Sequence, residues 1–215
     1  MAGAARSPSL QSLSVAEFLD ALASGEPTPG GGGAGALATA LGAALIAMTG
    51  RLTIGRRRYA DVDAQMRQTI ARADEIRAEA FDLISEDAHA YQGVMDALAL
   101  PRSADAEKAT RATAVARAAL AATRVPARVG ALAVEVMGMA AFATEHGNRH
   151  VTGDAGGAAA LARASIRISE MNIVANLALA GPGNATDYLD VLARLRAARD
   201  RSDALVDRVL DQSHT

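Results

Sequence analysis

Asp87 holds the position in this 215-residue chain that most invites chemistry. It follows Leu83 by four residues and Ile84 by three, and precedes Tyr91 by four, so a carboxylate falls on the apolar stripe of a helix. A carboxylate on such a face must be ion-paired, hydrogen-bonded, protonated or open to a cleft. Two readings stay open: a structural pair with an arginine of a neighbouring helix, or a functional acid–base group in a partly dry cleft. The other acidic groups of the segment, Glu75, Glu79, Asp82 and Glu86, fall with His89 on the opposite, wet side.

A second anomaly lies further on. Ser165, Ser169, Asn172 and Asn176 are spaced by four, three and four, an uncharged polar stripe flanked by Ile168, Met171, Ile173, Val174 and Leu177. Amides offer both a donor and an acceptor to a heterocycle, whereas hydroxyls serve equally well in bonds between helices. Asn172 and Asn176 are therefore the candidate ligand contacts.

The third is Gly30, Gly31, Gly32 and Gly33, which follow Pro27-Thr28-Pro29 and open a run of small apolar residues. Glycines at a helix start permit close backbone approach, and free N–H groups with the helix dipole favour an anion there. Arg56, Arg57 and Arg58 lie past the other end of that run. Such a cluster either solvates a helix end or holds an anionic tail. In the loop from Gly147 to Gly153, Asn148 could stand beside a ligand or simply make a turn, with Asp154 capping the next helix. His146 and His150 have the spacing of a metal pair, but Gly147-Asn148 should break the helix between them, and no metal site is expected. Neither a P-loop nor a dinucleotide fingerprint surrounds the glycines.

These side chains need helices to place them. Residues 1–13 read as a flexible N-terminus. Ser14 and Glu17 form a capping box for a first helix ending near Gly25. Glu26 to Gly33 reads as a loop before a second helix that reaches Leu52. A third runs from Asp61 or Asp63 to about Leu98, stopped by Leu100-Pro101. A fourth starts at Ser103 or Asp105 and ends before Val125-Pro126, and Pro126 opens a fifth that reaches His146. A sixth runs from Asp154 to Ala180, Gly181-Pro182-Gly183 breaks the chain, and Asn184 or Thr186 opens a seventh. No alternating strand pattern appears. The expectation is an all-α antiparallel bundle of about seven helices, one domain over residues 14–215.

Composition narrows the function classes. Half the residues are hydrophobic but only 3% are aromatic, so Ala, Leu, Val, Ile and Met must build the core. The net charge of −2 gives no general attraction to nucleic acid or anionic lipid. Absence of cysteine excludes disulfides and thiolate chemistry and fits a cytoplasmic protein. The most apolar run, Ala34 to Gly50, is shorter than the ~20 residues that span a bilayer. No membrane or nucleic-acid partner is expected.

Several motifs then occur together in order: Pro27-Thr-Pro-Gly-Gly-Gly-Gly, Leu-Thr-Ile-Gly-Arg-Arg-Arg-Tyr at 52–59, and Glu-Asp-Ala-His-Ala-Tyr at 86–91. Leu-Pro-Arg follows at 100–102, Gly147-Asn148 with Asp154, and Met-Asn-Ile-Val-Ala-Asn at 171–176. In this combination the chain resembles the cyclodeaminase/cyclohydrolase family of folate enzymes, over almost all of its length after residue 14. The resemblance implies an all-helical, dimer-forming fold and a folate cleft. It makes Asp87 the catalytic residue and places substrate contacts at Gly30 to Gly33, Asn148, Asp154, Asn172 and Asn176. Arg56, Arg57, Arg58 and Arg102, with Tyr59 in the same motif, would hold the glutamate tail. The implied reaction is hydrolysis of 5,10-methenyltetrahydrofolate, with formimidoyltetrahydrofolate cyclodeamination or non-catalytic folate binding as alternatives. No separate cofactor is implied, because the folate is itself the substrate. Gly33 and Gly153 stand where many members have serine, and Arg58 and Arg102 where lysine is usual.

Overall fold

The computed structural model describes residues 10–181 and 186–212. These hold six α-helices: α1 (Val15–Ala23), α2 (Gly31–Arg51), α3 (Asp63–Leu98), α4 (Asp105–His146), α5 (Thr152–Ala180) and α6 (Thr186–Gln212), with no strand among the described residues. Short connections turn α3 into α4 and α4 into α5, so each long helix folds back along the last. The most extensive pairings are α4 with α5 and α2 with α3, then α2 with α5. Their shared core is dominated by alanine, with Ile46, Ile76, Leu83, Ile84, Ile166 and Ile173 as its larger members. Small side chains let the axes approach closely. A Cβ on Gly35 would press on Ile168 of α5 at 2.9 Å.

Six helices stand where about seven are expected, because the break at Val125-Pro126 does not occur. Pro126 lies inside α4, which continues through it. Proline removes one helical hydrogen bond and strains the preceding turn, at about 3 kcal/mol. Against this, Val125, Pro126, Val129, Gly130, Leu132 and Ala133 are all buried. Burying an aliphatic side chain contributes roughly 1.5–3 kcal/mol, so a few such residues outweigh the local penalty. Tertiary packing overrides the breaker.

The starts of the helices show similar local differences. Ser14 does form its capping box, its N–H donating to Glu17 Oε2 at 2.7 Å while its Oγ accepts from the Glu17 N–H. Residues 10–12 form a 3-10 turn, and Leu10 and Leu13 pack against the core; residues 1–9 lie outside the described residues, as does Asn184. The glycines are not a loop ahead of α2 but its first turn, with Gly30 as N-cap. Asp154 does not cap α5. A 3-10 turn over Arg149–Val151 leads directly into α5 at Thr152, which leaves Asp154 within the first turn, where the dipole still favours a carboxylate.

By length and composition α2 and α4 could each cross a bilayer, α2 being longer than its most apolar run suggested. Half of each apolar window is buried against other helices, as in core helices of a bundle.

Candidate functional site

The first turn of α2 meets the middle of α3 at Asp87. The Asp87 carboxylate accepts from the Gly33 N–H, so it satisfies a backbone donor that the helix start leaves unpaired. Burial pushes the carboxyl above the ordinary carboxylate range, and the Gly33 N–H draws it only part of the way back. Among the described residues no arginine pairs with it. The structural ion-pair reading therefore falls away, and the cleft reading remains.

Gly32 shows why glycine stands here. A Cβ at position 32 would lie inside the Asp87 carboxyl group, so any other residue would displace either the carboxylate or the helix end. Ser, the usual helix-capping choice, is unnecessary at Gly30, because the cap comes from α3.

Asp87 opens into a cleft of about 380 Å³. One wall is Thr28, Gly31 and Gly32; a second is Asp87, Ala90, Tyr91, Val94, Met95 and Leu98 of α3. Ala122 of α4 contributes at the back, and Asn172, Ala175, Asn176 and Leu179 of α5 close the far side. Apolar walls with a few convergent polar groups are the ordinary make-up of a small-molecule site. Asn172 Nδ2 donates to the Ile168 carbonyl at 2.9 Å, which fixes the amide plane and leaves Oδ1 as an acceptor. Pro126 has no N–H to offer the carbonyl of Ala122, one turn earlier, and Ala122 lines the cleft.

Thus Asp87, the glycines, Asn172 and Asn176 come together. The serines of the same stripe do not. Ser165 Oγ bonds the Gly35 carbonyl at 2.8 Å and Thr39 Oγ1 at 2.7 Å, tying α5 to α2, and Ser169 is buried with its Oγ unpartnered.

Another group of the expected contacts gathers at the opposite end of α2, about 30 Å away by the rise of 21 helical residues. Asn148 is 3% exposed and engaged on all sides. Its N–H donates to Thr53 Oγ1 at 2.9 Å and its Nδ2 to the Leu52 carbonyl at 2.9 Å, while its Oδ1 accepts from the His150 N–H at 3.1 Å. Tyr59 OH accepts from the Arg149 N–H at 3.2 Å, and the Arg58 guanidinium stands over the Tyr59 ring. Asn148 and Tyr59 therefore build a clasp between the end of α2 and the α4–α5 turn, with exposed Arg56, Arg57 and Arg58 beside it and Asp154 just beyond. None lines the Asp87 cleft. Arg102 is exposed in the α3–α4 turn, four residues past Leu98.

Tyr91, like Val94, Met95 and Leu98, lines the cleft although its place on the apolar stripe suggested only core packing. Its signal was present: it lies one helical turn after Asp87, on the same face.

The chain and its fold have counterparts. The family model described as formiminotransferase-cyclodeaminase matches residues 14–181. The chain belongs to the formiminotransferase-cyclodeaminase family. Within that family it is 40% identical over 162 residues to the methenyltetrahydrofolate cyclohydrolase of Methylorubrum extorquens, covering 75% of this chain and 78% of that one. It is 26% identical over 196 residues to the formimidoyltransferase-cyclodeaminase of Gallus gallus, covering 91% of this chain but 36% of that longer protein. The crystal structure of formiminotetrahydrofolate cyclodeaminase from Thermotoga maritima superposes with a TM-score of 0.83, at 26% identity, over 96% of this chain and 100% of that one. Family membership accounts for the all-helical architecture.

Proposed function

We propose that the protein hydrolyses 5,10-methenyltetrahydrofolate to 10-formyltetrahydrofolate, with Asp87 as the acid–base residue. The observation that carries this is an unpaired, partly buried carboxylate held by the Gly33 N–H in a cleft with two amides and a tyrosine. The methenyl bridge is a delocalised amidinium cation. A carboxylate in a partly dry cleft attracts it strongly, and the cation in turn keeps Asp87 ionised despite its burial. Water adds its oxygen to the bridge carbon and gives one proton to Asp87. The proton then passes to N5 as the C–N5 bond breaks, and the hydroxyl left on the bridge carbon gives up its own proton to solvent, so the formyl group stays on N10 and one proton is released overall. Tyr91 offers an aromatic face to the cationic ring. Asn172 and Asn176 offer hydrogen bonds to its edge.

The 40% identity to a cyclohydrolase of similar length supports this reading. A second reading, cyclodeamination of formimidoyltetrahydrofolate with release of ammonia, is favoured by the likeness to the Thermotoga maritima enzyme. Absorbance of the methenyl chromophore separates the two: the first reaction removes it and the second creates it. No change from either substrate would overturn both.

The reading includes a cytoplasmic homodimer. Leu41, Met48 and Leu52 leave an apolar stripe exposed along α2, the kind of surface a second copy would cover. Light scattering should return twice the 22.0 kDa chain mass, and Leu41→Glu should shift it toward the monomer. A monomeric wild type at micromolar concentration would remove this element.

A further inference from the structure

Among the described residues no cation lines the cleft, yet a folate ends in a glutamate with two carboxylates. The arginines expected to receive it, Arg56 to Arg58, lie at the other end of α2. The outer stripe of α5 leads elsewhere. Ala160, Ala164, Ile168 and Asn172 follow at four-residue spacing, so one continuous face runs from the Asn172 wall back toward the start of the helix.

Along that face α5 and α6 enclose a second hollow, about 650 Å³, lined by Ala160, Arg163, Ala164, Arg167, Ile168 and Arg199. Its apolar part is methyl groups and Ile168, and its polar part is guanidinium. Beside it sits Glu170, whose side chain is 5% exposed. Arg167 and Arg199 reach Glu170 Oε2 at 3.2 and 3.1 Å, and Arg196 reaches Oε1 at 3.5 Å. Arg199 also holds Asp200 at 2.8 Å. Arg167, Arg196 and Arg199 converge on one buried carboxylate and Arg199 also holds Asp200, so three guanidinium groups face two carboxylates and one positive charge is left over; Arg163, which has an interaction of its own, also lines the hollow.

From this we infer that the α5–α6 hollow is a carboxylate subsite that takes the glutamate end of a folate whose ring system occupies the Asp87 cleft. The inference rests on the folate reading of that cleft. Arg167 and Arg163 stand five and nine residues before Asn172, about 8 and 14 Å along the axis, within reach of an extended p-aminobenzoyl-glutamate arm. Arg199, braced by Glu170 and Asp200, is held in place before the ligand arrives, which limits the entropy lost on binding. Guanidinium suits this role because it pairs carboxylates in a planar, bidentate manner.

The test compares 5,10-methenyltetrahydrofolate with 5,10-methenyltetrahydropteroate, which lacks the glutamate, by calorimetric binding and by steady-state kinetics. The wild type should bind the folate about tenfold more tightly or better, the loss expected when charge-assisted bonds are removed. The double variant Arg163→Ala, Arg167→Ala should raise Kd and KM for the folate to the pteroate level. It should leave the pteroate values unchanged and hold kcat within about twofold. Arg167→Lys should recover part of the difference, and melting curves should confirm that each variant folds. Pyrophosphate should compete with the folate and not with the pteroate. Equal affinity of the wild type for the two compounds, or a variant that weakens both alike, overturns the subsite. So does pyrophosphate binding that leaves folate affinity untouched, which would mark a site for free anions. Tail-dependent binding without turnover would sustain the subsite while refuting the hydrolase reading. If neither compound binds, both fall.

Discussion

The two ends of α2 look equally functional as sequence and are unlike as structure. At the N-terminal end, Gly32 and Gly33 meet Asp87, and a carboxylate from another helix does the capping in a cleft open to solvent. At the C-terminal end, Thr53, Asn148 and Tyr59 satisfy backbone groups and close a clasp. The difference lies in what is left over. The clasp uses the donors and acceptors of Asn148 internally, whereas the cleft keeps a raised carboxyl and an amide acceptor available. Polar groups that are already satisfied stabilise a fold; those held unsatisfied at a cleft wall can do chemistry.

Asp87→Asn should show this contrast most strongly. Loss of the acid–base group is expected to lower kcat by a factor on the order of 10²–10⁴, read from the methenyl absorbance. The same variant should gain stability. Because burial raises the Asp87 pKa on folding, the native state holds this proton more tightly than the unfolded chain does. Stability therefore falls as pH rises from the unfolded value through the folded one, and at neutral pH the ionised group is a cost. Asparagine removes that cost and still accepts from Gly33, so a gain on the order of 1 kcal/mol is expected in denaturant melts. In the wild type, activity should be lost as pH falls through the raised pKa, so the acid limb of the kcat/KM profile, which reports the free enzyme, should lie above the ordinary carboxylate range. A limb at the ordinary value would show that burial does not set this group.

Gly32→Ala tests the same end through its backbone. The added methyl collides with the Asp87 carboxyl, so the carboxylate must shift or α2 must move. Overpacking of this kind costs about 1–3 kcal/mol, and displacement of the acid–base group should cut kcat at least tenfold. Gly31→Ala is the control, since nothing lies within 4 Å of its Cβ position. It should fold normally. Equal losses from the two substitutions would mean that helix flexibility, not close approach, is what matters.

How far the sequence revealed this depends on whether the signal was local. Asp87 was legible because a carboxylate breaks an apolar period, and the paired asparagines because amides break another. Gly32 could be read as one of four glycines, but its particular reason, the carboxyl against its Cα, comes from a residue 55 positions later. Pro126 was misread because its effect is local while the packing that overrides it comes from helices elsewhere in the chain. Asn148 was assigned to the substrate because a loop asparagine looks the same whether its partners are a ligand or Thr53 and Leu52. The Glu170 cluster escaped notice because its arginines reside on two helices that only the fold brings together.

Asn148→Ala should reverse the pattern of Asp87→Asn. It leaves the Leu52 carbonyl and the His150 N–H without their side-chain partners, so a loss of about 2–3 kcal/mol is expected, measured by denaturant midpoint. Below the melting range, kcat should stay within about twofold of the wild type. A large rise in KM without loss of stability would return Asn148 to the substrate site and dissolve the contrast between the two ends.

The smallest effect is expected at the basic cluster beside the clasp. Arg56, Arg57 and Arg58 are exposed, and exposed charges contribute roughly 0–1 kcal/mol each. Nothing in one protomer brings them to the cleft, so Arg57→Ala should change neither stability nor KM beyond about twofold. The measurement still discriminates. If Arg57→Ala raised KM tenfold for the folate and not for the pteroate, the tail would have to reach this end of α2. One chain does not offer that path, whereas a second copy packed along the apolar stripe of α2 could bring its own arginines toward the glycine end. The KM ratio between Arg57→Ala and Arg167→Ala thus decides which basic group receives the carboxylates.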